Sequence, residues 1–190
     1  REGGVVVPGL VDACVTAHSS TGRCEADTHR LPGPSASQEE RDLKQLRVGM
    51  ETLLRHGTTS SEVRAVARDG NAALAGTLAS IQQLVRYAPL RLSLAFLGAP
   101  QADVESERSD RITKLIGDII PTVSRRHLAS TCVLLCGEGG YCRKEGRAVL
   151  RAARGAGLTL KIQAAGADAD AVLLAVELEA ASVDHLTGSA

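Results

Sequence analysis

The chain has 190 residues, enough for one domain with a true apolar core, and its 44% hydrophobic and 23% charged residues are ordinary for a globular protein. Lys+Arg and Asp+Glu each number 22, so a zero formal charge gives no electrostatic case for nucleic acid or an anionic membrane as partner. Aromatic residues make up only 2% (Tyr87, Phe96 and Tyr141, with no Trp), which argues against base-stacking platforms and leaves the core to Leu, Val, Ile and Ala.

Taken in chain order, short β-type runs alternate with helical ones. Residues 5–7 and 10–15 read as strand. Residues 21–37 are rich in Gly, Pro, Ser and Thr and read as a long loop. Ser37 with Glu40 three residues on has the form of a capping box, opening a helix to about Arg55 with Leu43, Leu46, Met50, Leu53 and Leu54 as its apolar positions. His56-Gly57 closes it. Residues 58–63 form the second strand. The third helix-type run follows the same logic as the second: residues 71–87 place Leu74, Leu78, Ile81 and Val85 on one face, and residues 110–120 do so with Ile112, Leu115, Ile116 and Ile119. Pro89 stops the first of these, and Pro121 is expected to kink the other. Residues 90–97 and 131–136 are the third and fourth strands. A helix over 144–156 ends at Gly157, residues 158–163 are the fifth strand, residues 168–180 are a helix, and residues 182–185 begin a sixth strand.

No apolar run approaches the roughly 20 residues of a membrane helix, and REGGVVVPGL is too short and Pro-broken for a signal peptide. Five scattered cysteines, an odd number, fit a reduced cytoplasmic setting. Because the chain starts at Arg1, an upstream segment is a further expectation. Six β/α units with near-continuous apolar strands imply a parallel sheet covered by helices. Two architectures fit: an incomplete TIM-type (β/α) barrel and an open parallel sheet. No GxGxxG or Walker A motif points to a dinucleotide or nucleoside triphosphate.

Six stretches, in order, resemble imidazolonepropionase of the amidohydrolase superfamily. They are PGLVD (8–12), HGTTSSEVR (56–64), FLGAP (96–100), CGEGGY (136–141), GLTLKIQAAG (157–166) and ASVDHL (181–186). The resemblance implies a (β/α)8 barrel with zinc or iron at the C-terminal strand ends, hydrolysing a cyclic C–N amide bond in histidine degradation. It also implies that residues 1–190 form a single domain without the family's flanking β-sandwich and last two barrel strands.

A metal-dependent hydrolase needs three or four His or carboxylate ligands, and a His-x-His strand supplies two because residues i and i+2 point the same way. Against the family pattern, Cys14 and Thr16 stand at those two positions and Gln163 at the strand-five His. Gly166 stands for the acid/base Glu, Ala165 for the Asp between, and Pro100 for another His; Arg64 stands for a Lys, followed by Ala65-Val66-Ala67 in place of a Gly-Tyr-Gly loop. His185 alone keeps its family identity. The resemblance thus leaves His185 as the candidate catalytic group, Arg64 and Glu138 as candidate substrate contacts, and degenerate metal positions at Cys14, Thr16 and Gln163.

Other chemistry-bearing residues have plainer readings. Cys14, His18, Cys24 and His29 follow an order that matches no common zinc finger and reads as an incidental loop cluster. Cys136 and Cys142 are candidates for pairing or metal, with packing the expectation for Cys136. Glu62 and Arg64 read as an ion pair at the barrel mouth. His56 and His127 fall at helix C-termini, where the dipole suits them, and Arg125-Arg126 reads as a solvated helix end. The expected protein is therefore a hydrolase scaffold of impaired or absent activity, a pseudoenzyme, without a bound metal. The alternative is a non-catalytic binding module for a small molecule, or one that assembles into a homo-oligomer through open sheet edges.

Overall fold

In a computed structural model, residues 7–16, 36–66, 71–98, 105–166 and 168–186 are described. Six strands, β1 (Leu10–Thr16), β2 (Thr58–Val66), β3 (Arg91–Gly98), β4 (Thr131–Gly137), β5 (Thr159–Ala165) and β6 (Ser182–Asp184), pair side by side in chain order, all parallel. The intervening helices are α1 (Ala36–Arg55), α2 (Asn71–Arg86), α3 (Glu105–Lys114), α4 (Ile120–Arg125), α5 (Arg143–Gly155) and α6 (Ala169–Glu177). None of the helices among the described residues is long and apolar enough to cross a membrane.

The strand order decides between the two architectures. Parallel crossovers are right-handed, so an unreversed order puts every helix on the same face of the sheet. A doubly wound open sheet reverses its order partway and covers both faces; this one does not reverse. The sheet also curls. β2 and β6 are four strands apart, about 19 Å in a flat sheet, yet Arg64 on β2 hydrogen-bonds Asp184 on β6. The fold is an incomplete TIM-type half-barrel.

The convex, helix-facing side carries the main core: Val63 and Ala65, Leu94 and Phe96, Cys132 and Leu134, Leu160 and Ile162 alternate along β2 to β5 and meet the helices. Helix α5 shows how the sequence builds that contact. Gly146, Val149, Leu150 and Ala153, spaced i, i+3, i+4 and i+7, are its buried stripe. Its end is a Schellman turn, in which Leu158 N–H donates to Ala153 O (3.0 Å) with Gly157 at φ +82°, a conformation glycine takes without a Cβ clash. The concave side has a second, small apolar group of Ala95, Leu97 and Val133.

Several boundaries differ from the sequence reading. Val5 and Val6 lie outside the described residues, and Val7 lies outside β1. Ala36 already belongs to α1, so Ser37 stands inside the first turn rather than capping it; alanine extends a helix at little cost. The helix expected over 110–120 begins at Glu105 and is not ended by Pro121. A π turn, Leu115–Ile119, intervenes, with Ile120 N–H donating to Leu115 O, and Pro121 then falls in the first turn of α4, where its missing N–H costs nothing.

Candidate functional site

The concave face is built by alternation. In register, Arg64, Ala95, Thr131 and Thr159 form one row across β2 to β5. Leu97, Val133, Lys161 and Ser182 form the next across β3 to β6, and Leu135, Gln163 and Asp184 the row nearest the strand ends. Glu62 lies two residues before Arg64 on the same face.

Four strands' worth of sequence separation collapse onto Arg64, which is fully buried. Its Nε donates to Glu62 Oε1 (3.0 Å), one Nη to Gln163 Oε1 (3.3 Å), and the other Nη to Asp184 Oδ2. Lys161 Nζ donates to the second oxygen of Glu62 (2.7 Å). Glu62 and Gln163 are themselves buried, whereas Lys161 and Asp184 are about a fifth exposed. Two cations thus face two carboxylates, and every charged group has a partner, as a low-dielectric interior requires. Glu62 and Arg64 do form the expected ion pair, but inside the half-barrel rather than at its mouth, because Arg64 sits two rows below the row nearest the strand ends and β5 and β6 curl over it.

The other sequence candidates are placed as follows. Cys14 and Thr16 belong to β1, and Thr16 is paired in register with Arg64. From Asp12 to Val15 the first strand advances three residues while β2 advances two, from Ser61 to Val63, so Cys14 lies in a β-bulge; the side chains of both lie outside the description. His18, Cys24, His29 and Pro100 lie outside the described residues. His185 follows β6 directly, half-buried and at φ +61°, a strained backbone for a non-glycine residue. Glu138 is exposed and is not brought to Arg64. Among the described residues, no group of three or more His, Cys, Asp or Glu side chains is placed to hold a metal ion.

Among the described residues, the side chains at the strand ends do not fit a divalent metal. Gln163 offers only a neutral amide oxygen, and that oxygen already accepts from Arg64. Asp184 is likewise occupied by the guanidinium, which brings positive charge to the place where a metal would need negative charge.

Glu138 instead lies on a second cleft of about 660 Å³, also lined by Cys136, Cys142, Arg143, Asp168 and Asp170. It opens between the ends of β4 and β5 and the N-termini of α5 and α6. Asp168 caps α6, accepting from Asp170 N (2.9 Å) and Ala171 N (3.4 Å). Cys142 caps α5 in a capping box whose return bond runs from Cys142 N to Glu145 Oε2 (2.9 Å). Cys136 is free and buried; burial first, then nearby Asp168, pushes its thiol up to about 12, so it packs rather than reacts. Burial also pushes the Tyr141 hydroxyl up to about 12.

Sequence reasoning missed Arg108, which locks the β4–α5 loop. It grips Glu145 with two bonds (2.7 and 2.8 Å), donates to Gly140 O (2.6 Å), and lies 5.8 Å from the Tyr141 ring centroid. Glu145 three residues after Cys142 was the signal for that helix start; nothing local marks Arg108, 37 residues away.

No family model matches the chain. It is similar to curated proteins named imidazolonepropionase. That of Haloarcula marismortui is 27% identical over 97% of this chain and 49% of its own length. That of Solibacter usitatus is 34% identical over 70% of this chain and 33% of its own length. That of Syntrophobacter fumaroxidans is 32% identical over 71% of this chain and 32% of its own length. The chain spans about half the length, or less, of these relatives. A solved structure described as a putative mandelate racemase/muconate lactonizing enzyme from Sorangium cellulosum aligns with a TM-score of 0.34 at 14% identity, covering 94% of this chain and 54% of that one, a likeness too loose to bear on function.

Proposed function

We propose that this imidazolonepropionase-like chain keeps the scaffold of a metal-dependent cyclic-amide hydrolase and does not itself carry out the hydrolysis. One observation supports this most. Gln163, at the strand-five position where the family resemblance calls for a metal-binding His, is buried with its amide oxygen held by Arg64. Cys14 and Thr16 extend the same loss to β1, and Ala165 and Gly166 to the acid/base positions. In this reading His185 is the residue left to meet a small ligand at the strand ends. Arg64 is committed to the internal network, and Glu138 belongs to the other cleft. The test is to incubate the purified protein, supplemented with zinc or iron, with imidazolone propionate and to follow ring opening together with metal content. No turnover above buffer is expected; turnover with a stoichiometric metal would overturn the proposal.

A second reading, an assembly module, is favoured by the two sheet edges. Among the described residues, β1 and β6 each pair on one side only, and exposed apolar side chains lie along both: Val7, Leu10 and Val11 at the first, Leu173, Val176 and Leu186 near the other. Sedimentation of the purified chain decides it. A concentration-dependent dimer or larger species is expected, and a monomer up to high concentration counts against it.

A further inference from the structure

We infer that Arg64 is a built-in cation of this scaffold: its guanidinium supplies from within the positive charge that the inner carboxylates require, joins β2 to β5 and β6, and keeps divalent ions out of the strand ends. The inference deepens the reading above and rests on it.

Within the described network, Arg64 and Lys161 face Glu62 and Asp184, so its formal sum is zero. A divalent ion added beside them would leave a net charge of two in a largely buried space, where Coulomb energies are several times those in water. A guanidinium is protonated at any working pH and presents a rigid fork of donors. Here that fork spans three strands at once, reaching Glu62 on its own strand, Gln163 on β5 and Asp184 on β6. A shorter ammonium at position 64 keeps the charge but offers no planar fork to span all three.

Geometry explains why such a bridge suits this chain. A closed barrel holds its curvature by pairing the last strand with the first. Among the described residues, β6 pairs with β5 alone and β1 with β2 alone. The Arg64 to Asp184 contact is the described polar link that crosses the concavity from β2 to β6, and β6 is only three residues long. Curl therefore depends on side chains, and the residue that supplies it also occupies the space a metal would need.

The experiment uses thermal unfolding of the whole chain with zinc chloride as the probe. Arg64→Met should lower the melting temperature by roughly 10 °C, since it leaves the buried Glu62 with Lys161 alone and the partly exposed Asp184 without its guanidinium. Zinc should then raise the melting temperature of Arg64→Met in a saturable way, by about 5 °C at a hundredfold excess over its dissociation constant. The wild type and the charge-keeping Arg64→Lys should not respond. Adding Asp184→Asn to Arg64→Met should remove the zinc response, which places the ion at the strand ends rather than at distant thiols. Saturable zinc stabilisation of the wild type, an equal response in Arg64→Lys, or no response in Arg64→Met would each overturn the inference. If Arg64→Met does not fold, refolding yield of Arg64→Gln with and without zinc replaces the melt, and a zinc-independent yield overturns it likewise. Because the readout is stability, its failure with an inert wild type removes this inference alone, whereas ring opening by a zinc-loaded wild type removes the proposed function.

Discussion

The two faces of the one sheet are built on different principles. The convex face is mainly apolar, and its residues meet helices that are adjacent in sequence. Among the described residues, the concave face has a small apolar group of Ala95, Leu97 and Val133, and its centre is a charged network whose members are 99 and 120 residues apart. The first kind of contact is non-directional and forms wherever apolar surface is removed from water. The second works only in one geometry, and removing a single member leaves its partners buried without charge compensation. The convex face therefore supplies most of the described apolar burial, while the concave face is held by directional, charge-paired contacts.

Adjacent residues on β3 give the sharpest test, because Phe96 points outward and Leu97 inward, and both are fully buried. Phe96→Ala should cost about 3–5 kcal/mol by transfer and cavity terms. Leu97→Ala should cost less, about 2–3 kcal/mol, since its apolar group holds only two other members and the polar network beside it can relax towards the space. Urea unfolding of both variants checks this. Equal losses would mean that the inner face contributes as much to folding as the outer one.

The convex face was largely legible in the sequence, and the concave network was not. The spacing of Val149, Leu150 and Ala153 marks a buried helix stripe without any knowledge of what it meets, as near-continuous apolar runs mark β3 and β4. Glu62 and Arg64 could be paired because two residues apart on a strand share a face. That Arg64 also holds Gln163 and Asp184 follows only once the unreversed strand order and the curl are known, and periodicity fixes neither. At Pro121 the sequence marks a disturbance of the helix but not its form, a π turn that displaces the register by one residue just before the proline.

A smaller effect tests how tightly the convex face is packed. A Cβ at Gly146 would meet Leu174 Cδ2 at 2.9 Å and Cys136 Sγ at 3.3 Å, where α5 lies against β4 and α6. Gly146→Ala gains helix propensity but must displace both neighbours. A net loss of about 1–2 kcal/mol is expected in urea unfolding; a gain would show that α6 yields freely at this contact.

The smallest effect belongs to neither face but to the loop that joins them, and it is read by pH. The Arg108 guanidinium first, then bonds from Cys142, hold the Glu145 carboxyl well below its usual value, at about 2 against 4.5. A carboxyl depressed in the folded state stabilises the protein above its unfolded pKa, and that contribution is lost as pH falls from about 4.5 through about 2. Glu145 is partly solvated, so screening reduces the full linkage energy to on the order of 1 kcal/mol. Denaturant unfolding between pH 5 and pH 2 should therefore show a fall in stability that Glu145→Gln flattens by that amount, and Arg108→Ala should flatten the same interval. The network around Arg64 should leave this difference unchanged, because it lies inside the half-barrel while the β4–α5 loop lies outside it. A change in the Glu145 contribution when Arg64 is replaced would show that the two regions are coupled through β4 and β5, and the division between a mainly apolar face and a charge-paired one would have to be redrawn.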